Sequence, residues 1–153
     1  MATFRRIQDI RVWHLARKLV KDVYYLSDSA RFRKDGPLRN QIRRASVSIV
    51  SNIAEGFERD GNKEFMQFLS QAKGSAGEVL SQLYIALDQN YCEEESFHHL
   101  QRITIQTLRM LESLMKYLRE SDFKGKKFVK YEIRRSSLAP FVQNGVQAER
   151  RSG

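Results

Sequence analysis

The chain has 153 residues, 41% of them hydrophobic, enough for one domain with a buried core and too few for two ordinary ones. Its formal charge of +9 favours phosphate-bearing, acidic or anionic-membrane partners, and its single cysteine, Cys92, excludes an intrachain disulfide and a zinc site built on several thiolates. No stretch approaches the ~18 apolar residues of a membrane span, and the N-terminus lacks an uninterrupted apolar run, so a cytoplasmic, reducing location is expected.

Both prolines, Pro37 and Pro140, fall outside long periodic segments, and nothing before residue 122 reads as a strand, so the pattern is all-α. A first helix is predicted from about Asp9 or Ile10 to Ser27. Val12, Ala16, Leu19, Val23 and Leu26 face its core, broadened by Trp13, Val20 and Tyr24, with Asp9 as N-cap. Periodicity then breaks at SDSARFRKDGP, and Pro37 in a first turn opens a second helix that ends near Gly56.

The second helix carries two apolar stripes. Leu38, Ile42, Ala45, Ile49 and Ile53 share one face, and Val47, Val50, Ala54 and Phe57 form another. A helix in a small bundle needs only one, so the second is expected to pack against another chain. Asn52 reads as a buried amide that fixes register, and Glu55 as the partner of an arginine.

The turn GFERDGN leads to a third helix over about 63–89 with Asn62 as N-cap. Phe65, Leu69, Ala72, Ala76, Val79, Leu83 and Ala86 face the core. Ser70, Gly74, Gly77 and Ser81 fall on one other face; since Gly costs about 1 kcal/mol relative to Ala inside a helix, Gly74 and Gly77 suggest close approach of a second helix. A fourth helix is predicted from about Glu93, where three glutamates meet the positive end of the helix dipole, to about Ser121. Its core face is Phe97, Leu100, Thr104, Leu108, Leu111, Met115 and Leu118. Short connections favour an antiparallel up-down-up-down four-helix bundle over residues 1–121.

Charge is unevenly spread: residues 1–121 hold 19 Lys/Arg against 15 Asp/Glu, and residues 122–153 hold 8 against 3. The latter form a basic tail, expected to be disordered in the free protein because it cannot bury enough apolar surface. Catalytic serine motifs, phosphate-cradling glycine loops and metalloprotease histidine pairs are absent from the sequence. Glu95 and His98 have the Glu-x-x-His spacing of di-metal bundles, but a second such motif is missing. No metal, cofactor or enzymatic activity is therefore expected.

The basic residues are the better lead. Arg39, Arg43, Arg44, Arg59 and Lys63 lie on or beside the second helix, and Lys126, Lys127, Arg134 and Arg135 lie in the tail among Phe123, Phe128 and Tyr131. Arginines hold phosphate in bidentate geometry, and aromatics interleaved with cations can stack on unpaired bases.

The run DIRVWHLARKLVKDVYYLS, with QIRRA, SNIAEG and KEF following in order, resembles the four-helix-bundle proteins encoded in intervening sequences of bacterial 23S rRNA genes. The likeness spans about residues 9–118. Related bundles include the accessory variability proteins that partner reverse transcriptases in diversity-generating retroelements. The resemblance implies a homopentameric ring with a basic surface that binds RNA or DNA, without established catalysis. It places Trp13 and Asn52 in structural signatures and Arg43 and Arg44 in the QIRRA signature. The family often has Pro where this chain has Val50, so a straighter second helix is expected.

The expectation is a non-enzymatic nucleic-acid-binding oligomeric scaffold, an accessory factor for RNA or DNA and for a reverse transcriptase of a diversity-generating retroelement. Val47, Val50, Ala54, Phe57, Gly74 and Gly77 are its expected subunit contacts. The competing reading is an adaptor ring that docks an acidic or enzymatic protein.

Overall fold

The computed structural model describes residues 2–121 and 130–131, and four long helices take up the periodic segments. They are α1 (Arg11–Ser27), α2 (Gly36–Glu58), α3 (Asn62–Asp88) and α4 (Glu94–Glu120). Each boundary has a local cause. Asp9 does not cap α1: it closes a short 3-10 turn, Ile7–Asp9, by accepting hydrogen bonds from the backbone N–H groups of Arg5 and Arg6. Ile10 occupies the N-cap of α1 instead and is itself buried.

Asp35 caps α2, its carboxylate accepting from Leu38 N–H at 3.1 Å, and Pro37 sits in the first turn, where no amide hydrogen is missed. The turn into α3 uses Gly61 at φ 92°, a conformation that side chains rarely adopt. Gly61, and not Asn62, is the N-cap of α3. The Asn62 amide instead reaches across to the Leu118 carbonyl and the Ser121 hydroxyl, tying the start of α3 to the end of α4.

The principal contacts run α1–α2, α2–α3, α3–α4 and α4–α1, as in an antiparallel four-helix bundle whose sequence neighbours are spatial neighbours. The stripe Leu38, Ile42, Ala45, Ile49 and Ile53 of α2 is buried, as are all seven core residues expected on α3. On α1, Val12, Ala16, Leu19 and Val23 are buried, Leu15 joins them, and Leu26 is partly covered. On α4, Ile103, Thr107 and Leu114 are buried, whereas Leu108 and Met115 are only partly so. The hydroxyls of Thr104 and Thr107 donate to the carbonyls of Leu100 and Ile103 one turn back, so their burial leaves no polar atom unsatisfied.

Two short strands, β1 (Ala2–Thr3) and β2 (Lys130–Tyr131), pair antiparallel. The rest of the basic tail, including Lys126, Lys127, Arg134 and Arg135, lies outside the described residues.

Candidate nucleic-acid interface

The arginines of α2 differ in what they are free to do. Arg43 is committed to α1: its Nε donates to Ser27 Oγ at 2.7 Å, one Nη donates to the Tyr24 carbonyl at 3.3 Å, and its guanidinium lies 4.4 Å from the Tyr24 ring centroid. Its side chain is 19% exposed and stands 3.9 Å from Asp28. Arg39 pairs with the same aspartate at 3.4 Å, and its Nε is buried without a partner among the described residues. Both therefore fasten the end of α1 to the start of α2. Arg44, one residue on, points outward and has no hydrogen bond or ion pair among the described residues.

Arg43 and Arg44 meet again in a shallow depression of about 830 Å³, lined also by Tyr24, Asn40, Val47, Ser48 and Ser51. That size falls within the roughly 300–1,000 Å³ of small-ligand clefts, although this one is open to solvent. Its floor is the outer surface of α2 and its wall is the last turn of α1. Ser48 is occupied, taking hydrogen bonds from Asn52 and from Ser75 of α3, while its carbonyl accepts from Asn52. The Asn52 amide nitrogen is thus satisfied, but the residue is half-buried and its bonds stay within α2, where a buried amide fixing register was expected. The side chains of Asn40 and Ser51 make no hydrogen bond among the described residues, which leaves an amide and a hydroxyl at the rim.

The other sequence candidates are dispersed. Arg59 forms an ion pair with Glu55 at 2.9 Å and lies over the Phe68 ring at 5.1 Å, so much of its charge is answered locally. Lys63, at the start of α3, is exposed and unpaired among the described residues. Neither lines the depression.

The second apolar stripe of α2 is largely spent within the chain. Phe57 is 4% exposed and packs edge-on against Phe65, so it belongs to the core and presents nothing to a partner. Val50 is half-buried against the same core. Val47, 39% exposed, and the half-buried Ala54 are what remains outward. A Cβ added at Gly74 or Gly77 would meet nothing within 4 Å, so the close approach inferred for them does not occur among the described residues. It occurs at Gly56, where an added Cβ would stand 2.7 Å from Phe68 Cβ.

Tyr24, Asn40 and Ser51 were missed as site residues. Tyr24 shares a helical face with core positions, and only the approach of α2 turns its ring toward an arginine. A tyrosine followed by another exposed one, Tyr25, was the sole hint.

A second, smaller depression is lined by Arg31, Lys34, Asp35, Pro37 and Tyr91. The Tyr91 hydroxyl donates to Asp35 at 3.0 Å, and that bond to a carboxylate raises its pKa. Burial, then the neighbouring Glu93, pushes the Cys92 thiol up as well, which suits a bland structural cysteine and not a nucleophile. His98 contacts Gln101, and His99 contacts Asp22 of α1 at 3.0 Å. No group of three or more His, Cys, Asp and Glu suited to a metal occurs among the described residues. None of the described helices is long and apolar enough to cross a membrane.

Fold and surface together define an all-α four-helix bundle with an open basic depression on its second helix. The chain belongs to the 23S rRNA-intervening sequence protein family, which residues 8–113 match. Among solved structures it is similar to a protein of unknown function from the S23 ribosomal protein family of Bacteroides thetaiotaomicron. The two are 22% identical, with a TM-score of 0.61 over 72% of this chain and 99% of that one, a likeness of fold alone. No curated protein matches the chain.

Proposed function

We propose that the protein is a non-enzymatic nucleic-acid-binding scaffold, assembled as a homo-oligomer, that holds RNA or DNA through phosphate contacts. The observation that carries this reading is the depression at the α1–α2 corner. It gathers a free arginine, a fastened arginine, a tyrosine and polar rim groups in one place. Guanidinium and amide donors suit phosphate and sugar oxygens, and Arg44 is available because no carboxylate among the described residues answers it. An excess of nine positive charges over the whole chain adds a long-range attraction to polyanions.

Assembly as a pentameric ring would repeat this modest patch and strengthen its field. The family resemblance favours that state, and Val47, Ala54, Gly74 and Gly77 are the outward positions suited to it. A cytoplasmic accessory role beside a reverse transcriptase of a diversity-generating retroelement is the narrower form of the same proposal.

The test is affinity for RNA and DNA oligonucleotides across a salt series. Binding should weaken steeply with salt, because each neutralised phosphate releases counterions. Arg44→Glu should lower affinity about tenfold or more at low salt and flatten the slope. Absence of binding at low salt, or binding indifferent to salt, overturns the reading. If Arg44→Glu leaves nucleic-acid affinity intact but abolishes capture of an acidic protein partner, the adaptor reading replaces it.

A further inference from the structure

We propose that the α1–α2 corner holds an unpaired nucleotide, its base stacked on Tyr24 and its phosphate on Arg44, so that the protein prefers single strands to duplex. This rests on the nucleic-acid reading above and names the form of nucleic acid that the site takes. Tyr24 remains 43% exposed while its ring is held in place, as does Tyr84 at 47%, and of the two only Tyr24 lines the basic depression. The Arg43 guanidinium lies 4.4 Å from the ring centroid, and it is itself anchored by Ser27 Oγ and by the carbonyl of Tyr24.

A ring fixed in this way is a prepared platform, since little side-chain freedom is left to lose when a base settles on it. The cation lies over one face of the ring, so the base takes the opposite face, and its charge adds attraction for that second π-system. Arg44 is adjacent in sequence, lines the same depression and lacks a partner among the described residues. Asn40 and Ser51 supply unsatisfied polar groups on the rim, suited to sugar or base edges. A duplex keeps its bases stacked inside and offers this open surface only its phosphates, whereas a single strand can lay a base on the tyrosine.

Three variants of the full chain separate the parts, each measured against a fluorescent single-stranded oligonucleotide and a duplex with the same number of phosphates. Tyr24→Leu should lower single-strand affinity about tenfold while leaving duplex affinity and the salt slope unchanged. Tyr24→Phe, which keeps the ring, should bind like the parent. Arg44→Ala should weaken both nucleic acids and reduce the salt slope by about one phosphate.

A control needs no altered protein. An abasic strand of equal length should bind the parent more weakly than the base-bearing strand, and should be indifferent to Tyr24→Leu. Equal losses on single strand and duplex, or parity between abasic and normal strands, overturn the stacking proposal. If the parent binds neither nucleic acid at low salt, the broader reading fails with it; if it binds both without regard to Tyr24, only the stacking proposal fails.

Discussion

Gly56 lies where α2 meets α3, and an added Cβ there would stand 2.7 Å from Phe68 Cβ and 3.3 Å from the Phe65 carbonyl oxygen. Neither atom is the loose end of a flexible side chain, so the helices would have to part. Gly56→Ala should therefore destabilise the protein by about 1–3 kcal/mol, in spite of its better helix propensity, as read by urea unfolding. Gly74 is the opposite case, exposed and with nothing within 4 Å of an added Cβ. Gly74→Ala should stabilise an isolated chain by about 0.5–1 kcal/mol. Should Gly74 pack against a neighbouring copy, the same change would weaken assembly, so unfolding and intact mass measured on one variant distinguish the two situations. Two glycines of similar helical context thus carry opposite expectations because of their surroundings.

At the scale of elements, the bundle is secured by side chains that cross between helices near their ends. Asp35 serves α2 as its cap and receives the hydroxyl of Tyr91, which follows α3. Asp35→Ala should cost about 1 kcal/mol for the cap alone and loosen the Tyr91 corner as well, checked by thermal unfolding. Asp9 does comparable work for the 3-10 turn before α1. Burial raises its pKa, but hydrogen bonds from the backbone amides of Arg5 and Arg6 and from the Arg6 side chain outweigh that and hold it below the ordinary aspartate range. A carboxyl depressed on folding contributes stability that is fully present above its unfolded value and is lost as pH falls through the folded one. The Asp9 carboxyl should titrate below the ordinary aspartate range by NMR, and the turn should loosen as pH falls through that lowered midpoint.

At the scale of the whole molecule, the question is how much surface remains for other copies. Phe57 and Val50 face this chain's own core, which reduces the outward apolar residues of α2 to Val47 and Ala54. An assembly built on so small an apolar patch would lean on close backbone approach at Gly74 and Gly77 and on polar contacts at its rim. Native mass spectrometry or sedimentation across a dilution series should show a homo-oligomer that Val47→Glu dissociates, with the helical content of the chain retained. A monomer at all concentrations would remove the ring from the proposal and leave the α1–α2 corner to act singly.

The four helices, their order and most of the core were legible in the chain, because helical periodicity is a local property. All seven buried positions of α3 and the five-residue stripe of α2 follow from spacing alone. The site was less legible. Arg39, Arg43 and Arg44 look equivalent as a basic cluster. Asp28 and Ser27, at the end of α1, engage the first two and leave the third without a partner among the described residues. Likewise Tyr24 reads as a core-broadening aromatic until α2 brings Arg43 against it, and Gly56 reads as a helix end until α3 crosses it. The sequence by itself determined which faces are apolar, since that depends on residues one and two turns apart. Only the tertiary structure decided which charges are already answered and which rings are held open, since those depend on partners supplied by other helices.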